Sequence, residues 1–259
     1  MALGSSRRLV WATRRRKLAR LQEMPEIAIP RDRLRDWGAV WLGSDPQKRG
    51  DRPEYFVRKD SMDFGRIFDD QVGAALAHML GGIPLLSPNA REILPKETDC
   101  VEVGPVRIVG GVRPQNFDVG YRPDGVRFAF DSKTLNDAKS IQKNYQNMIN
   151  DLGTEATTVH IRFPYAVVAF LVAFPQPALA GPQRDAIIET LERLTQRSSP
   201  EDAAHKAEAM CLAIWDPTTG EVSTDCPSGS SPLRIERFSQ QIRDAYVARY
   251  KGLPPHASD

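Results

Sequence analysis

The chain is poor in the residues that build stapled or metal-nucleated folds. Among 259 residues there are three cysteines, Cys100, Cys211 and Cys226, and four histidines, His78, His160, His205 and His256. The cysteine count is odd and neither set shows zinc spacing, which argues against a disulfide scaffold and for a reducing compartment. The longest apolar run, Ala166 to Phe174, has nine residues. That is too short to span a membrane and suits a buried central strand. The N-terminus is basic but carries no apolar core of a secretory signal, so the expected location is the cytoplasm. No Gly-x-x-x-x-Gly-Lys phosphate loop, no Gly-x-Ser-x-Gly elbow, no internal repeat and no low-complexity block is present. Of the histidines, His78 is expected to be a structural residue near the end of an apolar helix. The tryptophans Trp11, Trp37, Trp41 and Trp215 are expected in packing roles.

Charge is nearly balanced overall and uneven along the chain. The net value is +2, yet Arg7, Arg8, Arg14, Arg15, Arg16, Lys17 and Arg20 fall in the first twenty residues with no acid among them. Removing those seven leaves the remainder at about −5. A basic arm on a mildly acidic body fits contact with a polyanion, with affinity falling as salt rises. A solvated tail has the same composition. Residues 1 to 58 read as an N-terminal region around this arm, with Pro30, Pro46 and Pro53 breaking it into loops. Residues 59 to 259 read as the main domain with a helical C-terminal elaboration.

Within that domain the pattern alternates between helix and strand. Asp63 to Leu80 is predicted as a helix, with Phe64, Ile67, Phe68, Val72, Ala75, Leu76 and Met79 on one stripe and Gly81-Gly82 as its stop. Val101 to Val109 should be a strand with a break at Gly104-Pro105. Asn136 to Leu152 should be a helix capped by Thr134 or Asn136 and ended by Gly153. Ala166 to Phe174 and Ala209 to Trp215 follow as strands, and Pro182 to Gln196 and Leu233 to Tyr250 as helices. This is an α/β class with a central mixed sheet flanked by helices.

The segment Phe117 to Lys133 is the most informative. Pro123-Asp124-Gly125 is a turn signal, flanked by alternating apolar and polar residues. With a loop from Arg122 to Gly125, Tyr121 pairs with Val126, Val119 with Phe128 and Phe117 with Phe130, these six sharing one face. Asp118, Gly120, Arg127, Ala129, Asp131 and Lys133 take the other. Asp118 is then diagonal to Asp131, about 7–8 Å away at the backbone. Two carboxylates can hold a hard divalent cation such as Mg2+, and a neighbouring ammonium can help activate water. Acid-x-Lys alone is a weak motif. It recurs at Asp137-Ala138-Lys139, on the predicted helix and without an acidic strand partner. The predicted helix also exposes Lys139, Lys143, Asn144, Gln146, Asn147 and Asn150, which suit phosphates and base edges as well as an ordinary solvated face.

The pattern Asp118 … Asp131-Ser132-Lys133 resembles the PD-(D/E)xK, or restriction-endonuclease-like, nuclease superfamily over roughly Ser61 to Phe174. Phe117 stands where the family's motif has proline. The resemblance implies a core in the order helix, three-stranded meander, helix, strand. It implies Mg2+ held by Asp118, Asp131 and the Ser132 carbonyl, with Lys133 assisting and Asp69 as an acid lent by the first helix. It also implies double-stranded DNA as substrate. The likeness is greatest to Type II restriction endonucleases, which implies a homodimer and a DNA methyltransferase in the same system. A repair or recombination nuclease on the same core, or a DNA-binding protein without catalysis, are the alternatives.

Overall fold

A computed structural model describes residues 20–45, 52–89, 92–179 and 181–257. The described elements are helix α1 (Arg31–Trp41), helix α2 (Arg58–Met79), strands β1 (Leu85–Leu86), β2 (Val101–Val109), β3 (Pro114–Tyr121) and β4 (Phe128–Thr134), helix α3 (Ile141–Arg162), strand β5 (Val167–Pro175), helix α4 (Gly181–Arg193), strand β6 (Ala209–Trp215) and helix α5 (Ile235–Tyr250). The six strands form one mixed sheet in chain order. β2, β3 and β4 make an antiparallel meander, while β1 joins β2, and β5 and β6 join β4, in parallel. Parallel neighbours need a crossover. α3 supplies it between β4 and β5, and α4 lies between β5 and β6.

Strand alternation sorts the sheet into two cores. Val167, Ala169, Leu171 and Ala173 of β5 pack with α1, α2 and α5. Val168, Phe170, Val172 and Phe174 pack with α3 and α4. All nine β5 residues are buried, which explains an uninterrupted apolar run rather than an alternating one. Trp41 and Trp215 are fully buried. His78, read as a structural residue, is exposed near the end of α2. The buried histidines are His160, bonded to Glu208 and the Ala204 carbonyl, and His256, which meets the Tyr246 hydroxyl.

α1 lies where loops are expected. Pro30 sits at its N-cap, a place where a fixed φ and a missing N–H cost little. Leu34, Trp37, Val40 and Trp41 turn a helical stripe into the first core. The Trp41 indole donates to the Asn136 carbonyl at 2.6 Å. A glycine in this helix is required by a close approach. A Cβ on Gly38 would lie 1.7 Å from the Pro217 carbonyl oxygen, in the turn after β6. Gly38→Ala should therefore destabilise the protein by about 2 kcal/mol, despite alanine's better helix propensity. Thermal melts would read this as a fall of roughly 4–8 °C; an unchanged or higher midpoint would refute the close approach.

α3 departs from expectation at both ends. It starts at Ile141 with Ser140 at the N-cap and no side-chain cap bond; Thr134 belongs to β4. It also runs through Gly153 to Arg162. A glycine inside a helix costs about 1 kcal/mol relative to alanine. Burial of Ala156 and Val159 in the second core offsets that, at roughly 1.5–3 kcal/mol for a residue of valine's size. Among the described residues no helix is long and apolar enough to cross a membrane.

Candidate active site

The β3–β4 hairpin exists with a longer loop than expected. Tyr121 pairs with Phe128, Gly120 with Ala129 and Val119 with Phe130, so the loop is Arg122 to Arg127. Side-chain interactions pull two residues out of the strand. Arg127 donates to Asp124 at 2.8 Å, stacks 4.7 Å from the Tyr250 ring centroid and is buried. Val126 turns into the α3-side core. The slip is two residues, so the facing pattern survives. It also moves Asp118 from diagonal to the position level with Asp131.

The expected single apolar face breaks at one point. β2 places Gly104 and Pro105 between the pairs Val103↔Val119 and Val106↔Phe117, two residues against the single Asp118. This is a β-bulge, and Gly104 adopts φ +125° within it, a conformation that favours glycine. Beyond the bulge the alternation reverses. Val119, Tyr121, Phe128 and Phe130 lie in the α2-side core, whereas Phe117 lies with Val126 in the other.

Opposite the bulge the strands part. The β3–β4 ladder ends at Val119↔Phe130, while β3 continues along β2 to Pro114 and β4 continues along β5 to Thr134. The Ser132 amide, freed from β3, donates to Asp118 Oδ2 at 2.9 Å, and the Ser132 hydroxyl donates to the same oxygen at 3.1 Å. The Asp118 and Asp131 carboxyls are close enough for the Asp131 charge to raise the Asp118 carboxyl. From α2, Gly65 lets the helix approach, since a Cβ there would meet Ser132 Oγ at 3.3 Å. One turn later α2 brings the Asp69 carboxyl to the same place, where it feels the Asp118 charge. On the α3 side, Lys133 Nζ donates to Asp131 and, at 2.7 Å, to Glu155 Oε1. The fork thus gathers Asp69, Asp118, Asp131, Ser132 and Lys133, every residue expected at the centre, and adds Glu155.

Glu155 escapes a reading that stops the helix at Gly153. A signal is nonetheless present: it sits beside Leu152, Ala156 and Val159, a charged residue on a buried helical stripe.

The electrostatics are strained. Asp69 and Asp131 are each 7 % exposed and Glu155 5 %. Burial, reinforced by the Asp118 charge, pushes the Asp69 carboxyl up to about 8. Burial and the Asp131 charge push Asp118 up to about 8. Burial also raises Asp131 to about 7, against the opposing pull of Lys133. Burial works against the Lys133 ammonium, but Asp131 and Glu155 outweigh it and hold it charged above the ordinary lysine range. Asp69 Oδ1 and Glu155 Oε2 are buried without a hydrogen-bond partner. Among the described residues, no three His, Cys, Asp or Glu side chains form a ready-made ion cage; here the Lys133 ammonium draws Asp131 and Glu155 to itself.

The fork opens into a cleft of about 690 Å³, with Asp69, Asp118, Asp131 and Lys133 in its lining. No protein-family model, no curated protein and no solved structure matches this chain. Its function therefore rests on the site itself.

Of the residues expected to touch DNA, Asn144 lines this cleft and bonds Ser140 Oγ at 2.9 Å. Lys143 and Asn147 are exposed on α3, and Lys139 is exposed in the turn before it. Asp137, of the second acid-x-Lys tripeptide, lies in the segment before α3 and is paired to Arg52 at 2.6 Å. Arg14, Arg15, Arg16 and Lys17 lie outside the described residues.

Proposed function

We propose that this chain is a Mg2+-dependent endodeoxyribonuclease built on a restriction-endonuclease-like core, cutting double-stranded DNA at specific sites. The observation that carries the reading is the fork. Three buried carboxyls, Asp69, Asp131 and Glu155, gather with the half-buried Asp118 around the Lys133 ammonium. All but Glu155 line an open cleft, and Asp69 Oδ1 and Glu155 Oε2 lack a partner. Hard oxygen donors in excess of nearby positive charge suit a divalent cation of the Mg2+ or Mn2+ type. Asp118 and Asp131, with the Ser132 carbonyl, are the residues to hold it, and Asp69 with its free oxygen is a further donor. Bound there, Mg2+ would polarise the scissile phosphate and make a coordinated water more acidic.

The chain's own groups do the rest. Lys133 orients the attacking water and offsets charge developing on the phosphoryl oxygens. Glu155 fixes the Lys133 side chain within the fork, a positioning role. The Ser132 amide and hydroxyl hold the Asp118 carboxylate in one orientation. Lys139, Lys143, Asn144 and Asn147, with the basic N-terminal arm, would add contacts to the duplex. Reading a symmetric duplex site calls for two copies, hence a homodimer.

The test is incubation of supercoiled plasmid with Mg2+. Discrete, reproducible fragments are expected, and mapping their ends gives the recognised sequence. A smear, or cutting confined to branched or damaged DNA, would replace restriction by repair on the same core. Salt-dependent DNA binding with no cutting, and no heat of Mg2+ or Mn2+ binding by calorimetry, would leave a binding protein without catalysis.

A further inference from the structure

We propose, resting on the nuclease reading above, that the strand to be cut is led into the fork along one face of α2, with Arg58 and Arg66 contacting its phosphates. Arg58, Met62, Arg66 and Asp69 all line the cleft. Their spacings of four, four and three residues put them on a single helical stripe. The stripe carries cations at Arg58 and Arg66, with Met62 between them, and ends at Asp69, whose Oδ1 is unpartnered. The charge of Arg66 reaches Asp69, so the innermost cation borders the fork itself.

The two arginines are eight residues apart, about 12 Å along a helix at roughly 1.5 Å per residue. One isolated phosphate cannot bridge that span. A duplex strand, with about 3.4 Å of axis per phosphate, presents three to four phosphates over it. The ligand that matches is a linear polyanion.

The facing wall of the cleft cannot supply the same charge. There Asp137 is neutralised by Arg52, and Asn136 and Asn144 present amides. On α2, by contrast, the cations are available. Arg66 touches Asp63 at 3.3 Å, with side chains 70 % and 31 % exposed. A pair this exposed contributes little, so Arg66 exchanges it readily for a phosphate. Met62, 61 % exposed between the arginines, offers an adaptable apolar surface to sugars and base faces.

The experiment is fluorescence anisotropy of a labelled duplex with the full chain, Ca2+ replacing Mg2+, over a series of salt concentrations. The Arg58→Glu/Arg66→Glu double variant should bind at least 10-fold more weakly. Its log Kd against log salt slope should fall by about 2, one for each lost phosphate contact. Arg193→Glu, on the solvent side of α4, should leave both unchanged. In cleavage assays the double variant should raise KM more than it lowers kcat. Should charge reversal prevent folding, the Arg58→Gln/Arg66→Gln pair must show the same slope change. A folded variant with wild-type affinity and slope overturns the proposal. If the wild type cuts DNA but the variants bind normally, only the α2 track fails. If the wild type binds through these arginines yet never cuts, the nuclease reading fails and the track stands.

Discussion

Asp131→Asn is expected to reduce Mg2+-dependent DNA cleavage on the order of 10³-fold or more, while duplex binding measured in Ca2+ stays within a few-fold of wild type. Asp131 links the two halves of the fork: its charge bears on Asp118, and it receives the Lys133 ammonium. The amide keeps the shape but loses the charge, so it weakens any cation held with Asp118 and leaves Lys133 with Glu155 alone. An electrostatic contribution of several kcal/mol to the transition state corresponds to about 10²–10⁴ in rate. Single-turnover plasmid cleavage, with circular dichroism as the folding control, is the measurement. Residual activity within 10-fold of wild type would remove Asp131 from the chemistry. Equal loss of binding and cutting would recast it as a residue needed for the fold.

Asp69→Asn should make the cation-free protein more stable, not less. The carboxyl is pushed from its ordinary 3.8 to about 8 by burial and by the Asp118 charge. A carboxyl raised in the folded state binds its proton more tightly there than in the unfolded chain. Its favourable contribution is complete below about pH 3.8 and disappears as pH rises through about 8. At pH 8.5 the wild type therefore carries a buried, repelled charge that asparagine lacks. Discounting for coupling among the three aspartates, the gain is on the order of 1–3 kcal/mol. A chain of this size gains roughly 2–4 °C per kcal/mol, so melts in EDTA at pH 8.5 should rise by several degrees, and the difference should close near pH 4. Added Mg2+ should then raise the wild-type midpoint more than that of the variant. A variant less stable than wild type at pH 8.5 would show that Asp69 is a net stabilising charge and no part of a repelled cluster.

Two strands were legible to the residue because their signals are local. β2 and β6 occupy the expected residues, each an apolar run closed by turn chemistry. The central site was legible for a subtler reason. The hairpin slips by two residues from the expected register, and a period-two pattern tolerates a slip of two but not of one. Glu155 was hidden because glycine's propensity argues for a stop that packing around Ala156 and Val159 overrides. α1 was hidden behind Pro30, which marks its start rather than forbids it. Arg58 and Arg66 carry no motif; their meaning depends on how α2 lies across the fork, which only the assembled sheet decides.

The parting of β3 from β4 has an architectural consequence. Each acid-bearing strand is pinned along its far edge, one by β2 and the other by β5, and the helical acid is pinned by its own buried stripe. Three separate anchors therefore hold the reactive groups, and none of them is a loop. Surfaces outside that frame can diverge, or be rebuilt by an engineer, while the carboxylate fork stays in place.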